Sequence, residues 1–260
     1  MAKTVLITGA SGGIGLELAR IFAQQKNNLV LVARSETTLN ELAASLAQQH
    51  NIQVWVLAKD LSDISNAKAV ADYCGQQGIT IDFLINNAGF GDFGLFAESN
   101  WQKQLEMINL NITTLTFLTR LFLPGMVQRG FGKIMNLAST AAFQPGPLMS
   151  VYFASKAFVL SFSEAISNEL ENTGVTVTAL CPGGTESGFQ KAAALEESKM
   201  VKGKKFPSSA VVAAFGYKAM MKGKVVAIHG WRNALMAASV RFSPRWLVRK
   251  IVRNIQDKAQ

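Results

Sequence analysis

Three side chains in the second half of the chain have the types and the spacing needed for proton transfer. Ser139 precedes Tyr152 by 13 residues, and Lys156 follows Tyr152 by four. On a helix, residues i and i+4 share a face, so the Lys156 ammonium would stabilise a Tyr152 phenolate. Lowering a tyrosine pKa of ~10 by about two to three units corresponds to roughly 3 to 4 kcal/mol. Each residue alone is better explained as a turn serine or a surface Tyr/Lys pair, but together they predict a proton-transfer site.

A glycine-rich stretch near the start of the chain, TGASGGIG at 8–15, contains two overlapping motifs with different chemistries. As G-x-S-x-G, it would expose Ser11 as a hydrolase nucleophile. That interpretation needs an oxyanion amide from an earlier strand's loop and a late histidine. Ser11 follows the first predicted strand, so no earlier loop exists, and neither His50 nor His229 has an evident acidic partner. The sequence therefore favours the second motif, a glycine turn that carries a dinucleotide pyrophosphate.

The dinucleotide interpretation gives each glycine of this stretch a physical task. Gly9 permits the tight turn, Gly13 lets the backbone approach the pyrophosphate, and Gly15 lets the helix lie close to the strand. The next helix has one apolar face, because Ile14, Leu18, Ile21 and Phe22 fall at i, i+4, i+7 and i+8.

The elements that must position these residues alternate between short apolar runs and helical patterns. Seven runs are mostly too apolar to have a solvent-facing side, as expected of parallel strands covered on both faces. They are Val5 to Ile7, Leu29 to Val32, Val54 to Leu57, Phe83 to Ile85, Ile134 to Leu137, Val175 to Leu180 and Val225 to Ile228. This order predicts a doubly wound α/β sheet of seven parallel strands with helices on both faces.

Composition bounds the class of protein. The chain has 260 residues, of which 49% are hydrophobic, enough for one α/β domain with a substantial core. No window approaches the roughly 18 to 20 uninterrupted apolar residues of a membrane span, and the N-terminus does not resemble a signal peptide, so we expect a cytoplasmic protein. Cys74 and Cys181 lack the spacing of a zinc site or a disulfide framework, and we expect no metal.

The net charge of +9 is unevenly distributed. From residue 191 onward there are 15 Lys and Arg against 3 Asp and Glu, whereas residues 1–190 contain 11 and 14. A nucleic-acid role would rest on this basic tail alone, and no recognised binding motif accompanies it, so we do not expect nucleic acid as a partner.

Motifs at successive strand ends identify a family. Asn86-Asn87-Ala88-Gly89 follows the fourth predicted strand, Ser139 the fifth and Pro182-Gly183 the sixth. With the glycine turn, Tyr152 and Lys156, this set resembles the short-chain dehydrogenase/reductase family over residues 3–230. The resemblance implies a single-domain Rossmann fold and hydride transfer between a nicotinamide and a carbonyl or alcohol. Ligands of such sheets bind at the carboxyl ends of the strands, where each motif lies.

The resemblance also assigns roles. Tyr152 would exchange a proton with the substrate oxygen, Ser139 would hydrogen-bond that oxygen, and Lys156 would hold the nicotinamide ribose. Asn111 would order a water in the proton relay, although Asn109 competes for this role. Asp60 with Leu61 would bracket the adenine. The cofactor-binding set is Gly9, Ser11, Gly13, Ile14, Gly15, Arg34, Asp60, Leu61, Asn87, Ala88, Gly89, Tyr152, Lys156, Pro182, Gly183 and Thr185.

Cofactor preference depends on the charge at the end of the second strand. An NAD enzyme usually places Asp or Glu there, whereas this chain has Ala33 followed by Arg34. Arg34 can bind a ribose 2′-phosphate bidentately, and Ser11 would add a hydroxyl contact. NADP(H) is therefore predicted, with a solvated loop charge as the alternative for Arg34.

The substrate pocket is predicted from aromatic residues near these motifs. They indicate an apolar ketone, aldehyde or 3-oxoacyl compound, although core packing explains any single one equally well. The candidates are Phe90, Phe93, Phe143, Met149 and Phe189, with Phe96, Pro145 and Phe153 near them.

Two further segments complete the predicted organisation. Within the Rossmann and catalytic region of residues 1–230, residues 186–210 would form a substrate lid. Its lysines (Lys191, Lys199, Lys202, Lys204 and Lys205) fit solvated charges better than a carrier-phosphate site.

Residues 231–260 would form a basic amphipathic extension of the same domain. After Ser243-Pro244, its apolar stripe is Leu247, Val248, Ile251, Val252 and Ile255, opposite Arg249, Lys250 and Arg253. That helix fits packing on its own domain or on a second subunit at least as well as an anionic membrane.

Two classes of function fit these predictions. An NADP(H)-dependent carbonyl reductase is preferred because Ser139, Tyr152 and Lys156 are all present. A non-catalytic NADP(H)-binding sensor of the same fold is the alternative, but such proteins commonly lack the Tyr or the Lys. Family resemblance further implies a homodimer or homotetramer.

Overall fold

Seven strands form one parallel sheet in the order β3-β2-β1-β4-β5-β6-β7. The computed structural model describes residues 2–189, 193, 198, 203 and 205–257, and the fold is given for these. The strands are β1 (Thr4–Thr8), β2 (Asn28–Ala33), β3 (Val54–Ala58), β4 (Phe83–Asn86), β5 (Gly132–Leu137), β6 (Val175–Cys181) and β7 (Val226–Ile228). The predicted sheet of seven parallel strands is confirmed, with strand ends that differ by one or two residues.

Helices connect the strands and cover both faces of the sheet. They are α1 (Gly13–Gln24), α2 (Glu36–His50), α3 (Ile64–Gln76), α4 (Trp101–Ile108), α5 (Leu115–Gln128), α6 (Ser150–Glu169), α7 (Ser209–Met221), α8 (Trp231–Val240) and α9 (Arg245–Gln256). A π-helical turn, Asn109–Thr114, joins α4 to α5, and a 3₁₀ turn, Thr140–Phe143, follows β5.

The core has two layers because side chains alternate along each strand. Ile7 of β1 faces one layer, where it packs with Leu18 of α1 and Val212 of α7. Leu6 faces the other, with Val70 of α3 and Leu118 of α5. Burial on both faces explains why most strand residues are apolar.

The strand order places the motifs along one edge of the sheet. The chain runs outward from β1 to β3 and then returns to β4 on the other side of β1, so a crevice opens between β1 and β4. Ligands of open α/β sheets bind at such a switch point, outside the carboxyl ends of the strands. Gly9, Asn87, Ser139 and Pro182 directly follow β1, β4, β5 and β6 or lie two residues beyond them.

The continuous helix Trp101–Gln128 is long and apolar enough to cross a membrane by length and composition alone. Its role in the fold is internal, since Met107, Leu118 and Met126 are buried. Core helices of α/β proteins are often this long and apolar.

Candidate active site

The glycine turn is built by close contacts between β1, β4 and α1. Gly9 has a φ of 66°, and a Cβ there would lie 2.8 Å from Asn87 Nδ2. Asn87 Nδ2 donates to Thr8 O (2.8 Å), while Thr8 Oγ1 accepts from the backbone N–H groups of Asn87 and Ala88 (3.0 Å each). These bonds tie the end of β1 to the end of β4 and fix the mouth of the crevice.

Gly15 lets the first turn of α1 approach this strand end. A Cβ at Gly15 would meet Gly9 O and Asn87 Nδ2, both closer than 3.0 Å. Gly12, the N-cap of α1, has no side chain to satisfy the first N–H groups. An uncapped helix N-terminus beside a glycine turn is suited to an anion. The Ile14 side chain is buried in the core, so only the backbone of Ile14 can contact a ligand.

Gly15→Ala is expected to lower the free energy of unfolding by about 1 to 3 kcal/mol, because backbone atoms cannot yield to the added methyl group. Urea titration of the purified protein measures this. Gly75→Ala in α3, where no atom lies within 4 Å of the added Cβ, is the matched control. It is expected to be neutral or stabilising by up to about 1 kcal/mol. Equal stability of the two variants would contradict the close approach at Gly15.

Ser139, Tyr152 and Lys156 come together at the end of β5. Ser139 caps the 3₁₀ turn, where its Oγ accepts from Ala141 N at 3.1 Å. Tyr152 and Lys156 lie one turn apart on α6, and Lys156 Nζ is 5.7 Å from the centre of the Tyr152 ring. Lys156 is 4% exposed, and its Nζ donates to Leu137 O at 2.7 Å. The carbonyl of β5 thus holds the ammonium beside the phenol.

The protonation states of this pair differ from the sequence-based expectation. Burial raises the pKa of Tyr152 to about 12, although a hydrogen bond with Ser139 opposes the rise. Burial also lowers the pKa of Lys156 to about 8. In the protein alone, desolvation therefore outweighs the attraction of the ammonium for a phenolate. Tyr152 carries its proton at neutral pH, which suits a proton donor.

Asn111 reaches the same site through the π-helical turn. Its Nδ2 donates to Phe90 O (3.0 Å) and to Ser155 Oγ (3.1 Å), and its Oδ1 accepts from Phe90 N (3.2 Å). A Cβ at Gly89 would lie 2.8 Å from Asn111 Oδ1 and 3.5 Å from Lys156 Nζ. Asn111 is thus adjacent to the lysine and buried, which favours it over Asn109 for the water-ordering role.

An apolar cluster lies beside Tyr152. The Tyr152 and Phe189 rings are 5.2 Å apart, and a Cβ at Gly91 would lie 2.8 Å from Phe189 Cζ and 3.1 Å from Met149 Cε. Phe93 packs in the same cluster. Phe143 does not, because it packs against the core cluster that contains Val159 and Cys181. Phe90 meets the site through its backbone contacts with Asn111.

The remaining predicted residues lie along the edge of the crevice. Arg34 follows β2 and is exposed. Asp60 Oδ1 accepts from Ser62 N and Oγ, while the carbonyl of buried Leu61 accepts from Thr114 Oγ1 at 2.7 Å. Pro182 and Gly183 follow β6, and Thr185 Oγ1 donates to Gly183 O. Lys191, Lys199, Lys202 and Lys204 of the predicted lid lie outside the described residues, whereas Lys205 is described and exposed.

Comparison with known proteins identifies the family. A family model described as short chain dehydrogenase matches residues 3–198. The chain belongs to the short-chain dehydrogenase family. This dehydrogenase is 36% identical over 181 residues to the ketoacyl reductase HetN of Nostoc sp., covering 70% of the chain and 63% of that protein, less than two thirds of its length.

A second relative and a solved structure match over more of their length. The very-long-chain 3-oxoacyl-CoA reductase of Mus musculus is 28% identical over 260 residues, covering 97% of the chain and 79% of the relative. A short-chain dehydrogenase from Sphingobium yanoikuyae in complex with NADPH superposes with a TM-score of 0.83 and 32% identity, covering 94% of each chain. This short-chain dehydrogenase is therefore an oxidoreductase of C=O and CH–OH groups that uses a nicotinamide cofactor.

The crevice of this dehydrogenase fits such a cofactor. At Gly12 no atom lies within 4 Å of an added Cβ, so the uncapped N-terminus of α1 leaves backbone N–H groups accessible to a pyrophosphate. Lys156 lies within the same crevice, where its ammonium can reach ribose hydroxyls.

Several supporting residues of the dehydrogenase site are absent from the sequence-based prediction. Thr8 and Ser155 orient Asn87 and Asn111, and Asp92 accepts from Gln104 Nε2 at 2.7 Å to hold the loop that carries Gly91. These are contacts between distant segments, so spacing along the chain does not reveal them. The one signal in the sequence for such contacts was the pair of asparagines at 86–87. Buried Asn86 does bond a distant segment, since its Nδ2 donates to Asn136 Oδ1 at 2.9 Å.

Lys156→Met in this dehydrogenase is expected to change how stability depends on pH. Because the pKa of Lys156 is about 8 in the folded protein and near 10.5 unfolded, the unfolded state binds more protons between these values. Below pH 8 the buried Lys156 is charged, and its desolvation destabilises the folded protein. This destabilisation disappears as the pH rises and Lys156 loses its proton. The stability of Lys156→Met relative to the unsubstituted protein should therefore fall by about 1 to 3 kcal/mol between pH 7 and pH 9.5.

Urea titrations at several pH values measure this change. Lys222→Met, at an exposed position that ends α7, is the control and should show a constant difference. A constant difference for Lys156→Met as well would show that the lysine is not desolvated.

Proposed function

We propose that the chain is an NADP(H)-dependent carbonyl reductase that acts on apolar ketones, aldehydes or 3-oxoacyl compounds. The observation that carries the proposal is the convergence of Ser139, Tyr152 and Lys156 beside the glycine turn. A protonated tyrosine, a serine hydroxyl and a buried ammonium in one crevice match the requirements of carbonyl reduction.

The proposed roles are those that the family resemblance implies, and these contacts support them. When bound, the reduced nicotinamide supplies a hydride to the carbonyl carbon. Tyr152 gives its proton to the carbonyl oxygen, and Ser139 donates a hydrogen bond to that oxygen. Lys156 holds the ribose hydroxyls and stabilises the phenolate that proton transfer leaves, while Asn111 orders the water that returns a proton. A fixed ammonium and hydroxyl act where negative charge develops.

The preference for NADP(H) is supported by charge at the edge of the crevice. Gly9 N donates to Val32 O at 2.8 Å, which brings the glycine turn, with Ser11, alongside the end of β2 and Arg34. Lys59 N donates to Ala33 O at 2.9 Å, so a second cationic residue follows the neighbouring strand. Cations at this edge favour a 2′-phosphate over a hydroxyl.

The preference for apolar substrates is supported by the cluster of Met149, Phe189 and Phe93 against Tyr152. The similar Nostoc and mouse proteins are named as a ketoacyl reductase and a very-long-chain 3-oxoacyl-CoA reductase, in keeping with such substrates. Phe90 and Phe143 contribute less to the proposed pocket, for the reasons given above. Residues 186–210 are proposed as its lid, since Phe189 lies against Tyr152.

A substrate panel with NADPH tests the proposal, with ketones and aldehydes of increasing bulk, 3-oxoacyl thioesters and charged keto acids. We expect bulky apolar carbonyls to have the highest kcat/KM. Gly91→Ala should lower kcat/KM for the bulky substrates by about tenfold and spare small ketones, because the added Cβ narrows the space beside Tyr152 and Phe189.

Preference for small charged keto acids would overturn the substrate class. Tight NADPH binding with no turnover of any substrate would instead favour the sensor.

We further propose that the enzyme is located in the cytoplasm. We also propose that it forms a homodimer or homotetramer, as its family resemblance implies. Light scattering on the purified protein distinguishes these assemblies from a monomer.

A further inference from the structure

The two C-terminal helices and the turn between them expose large apolar side chains that the active site does not use. Trp231 is 72% exposed, Leu235 64% and Phe242 89%. Trp231, Leu235 and Ala238 follow the spacing i, i+4, i+7, so they form one stripe on α8, turned away from the buried Ala237. An exposed stripe of this kind marks an interaction surface.

The apolar stripe of α9 is only half covered by the protein. Val248 and Val252 are buried, which confirms packing on its own domain for this side of the helix. Ile251 and Ile255 are 48% and 46% exposed. The intramolecular contact therefore leaves one edge of the stripe in solvent.

Basic residues accompany these side chains. In four places an exposed cation directly adjoins an exposed large apolar residue, at 231–232, 241–242, 245–246 and 250–251. Between residues 231 and 257 one acidic residue, Asp257, occurs among six cations: Arg232, Arg241, Arg245, Arg249, Lys250 and Arg253. The ion pairs found among the described residues all lie between residues 17 and 103. This surface thus combines apolar area with positive charge.

We propose that α8 and α9 bind the surface of an anionic phospholipid bilayer. Trp, Phe, Leu and Ile side chains would enter the boundary of the acyl chains, and the adjoining cations would meet the lipid phosphates. A second copy of the chain fits less well, because a two-fold contact would oppose like charges. Nucleic acid would pair with the cations but leave the apolar stripe in water.

Membrane binding would bring the substrate pocket to the lipid. Val248 and Val252 of α9 pack in the same apolar cluster as Met149 and Phe153, which the rings of Tyr152 and Phe189 also join. Ser198 Oγ donates to Gln256 O at 2.9 Å, so the segment after β6 is tied to the end of α9. This step rests on the proposed function, and it identifies the substrates as carbonyl compounds dissolved in the bilayer.

Vesicle flotation tests the binding step with the full chain and NADPH. Phosphatidylcholine vesicles are compared with vesicles that also contain phosphatidylglycerol. We expect binding to the anionic vesicles, weaker by about tenfold or more on the neutral ones and weakened by salt. The triple variant Trp231→Ser, Leu235→Ser and Phe242→Ser should lose binding by about tenfold or more. The control variant Ile64→Ser, Val127→Ser and Val211→Ser, on three other helices, should retain it.

Several results would overturn the proposal. The first is equal binding of the protein to neutral and anionic vesicles. The second is an equal loss of vesicle binding in the control variant. The third is a protein that binds duplex DNA but no vesicles. A loss of oligomer in the triple variant without wild-type vesicle binding would assign the surface to a second copy.

A kinetic measurement separates this proposal from the proposed function. The triple variant should reduce a short water-soluble ketone at the wild-type rate but a long-chain ketone in anionic vesicles about fivefold or more slowly. Equal rates on the long-chain ketone would overturn delivery from the bilayer. If neither protein reduces any ketone, the proposed function fails, and flotation still decides whether the surface binds membranes.

Discussion

Tyr152→Phe is expected to lower the rate of carbonyl reduction by about 10²- to 10⁴-fold, the usual contribution of one positioned acid. The phenylalanine ring retains the packing that places the Tyr152 ring 5.2 Å from Phe189 and 6.1 Å from Phe153. The variant lacks only the hydroxyl that gives its proton to the substrate oxygen. Affinity for NADPH should change little, since backbone groups and Lys156 remain in place.

Loss of NADPH absorbance gives the rate, and fluorescence titration gives the affinity for NADPH. Tyr217→Phe is a suitable control, because that tyrosine packs edge-on against Phe22, on the layer of the core formed by α1 and α7. A Tyr152→Phe enzyme that keeps more than about a tenth of the wild-type rate would assign proton transfer to another group.

Arg34→Glu should lower the ratio of kcat/KM with NADPH to kcat/KM with NADH by about 10²- to 10⁴-fold. Two charge-assisted hydrogen bonds to a 2′-phosphate, of about 1.5 to 3 kcal/mol each, would be lost. The new carboxylate would also repel the phosphate and accept from the ribose 2′-hydroxyl of NADH. Turnover with NADH should therefore persist or improve, which separates this effect from general damage.

The measurement is the same reduction assay with each cofactor in turn. Lys222→Glu makes the same change of charge at an exposed position directly after α7 and should leave the ratio unchanged. An unchanged ratio in Arg34→Glu would transfer the recognition of the cofactor to other groups, with Lys59 as the next candidate.

The sheet could be predicted because each strand is marked by its own short run of apolar residues. Runs such as Val5 to Ile7 are buried on both faces, and burial on both faces leaves a continuous apolar signature. The strand-end motifs were visible for a related reason, since each follows a strand directly. Ser139, Tyr152 and Lys156 needed only helical geometry to be placed on one side of α6.

Other features depend on contacts between distant segments and were not predictable from spacing. Gly91 matters because Met149, Tyr152 and Phe189 surround it, and a lone glycine gives no sign of such neighbours. The raised pKa of Tyr152 follows from burial, which the phenol and the ammonium share. In the tail, the apolar stripe of α9 was predicted, but its division into buried and exposed edges required the structure.

The π-helical turn makes the length of one helix a functional quantity. Deleting a single residue between 109 and 114 would convert this i→i+5 turn into an ordinary α-helical turn. Asn111 would then leave its place in the wide turn, and its hydrogen bonds with the backbone of Phe90 and with Ser155 would be lost. A one-codon deletion here should thus be less well tolerated than most substitutions of the same residues. Natural sequences that share this site are expected to keep Asn111 and the number of residues in this turn, while the other residues of the turn vary.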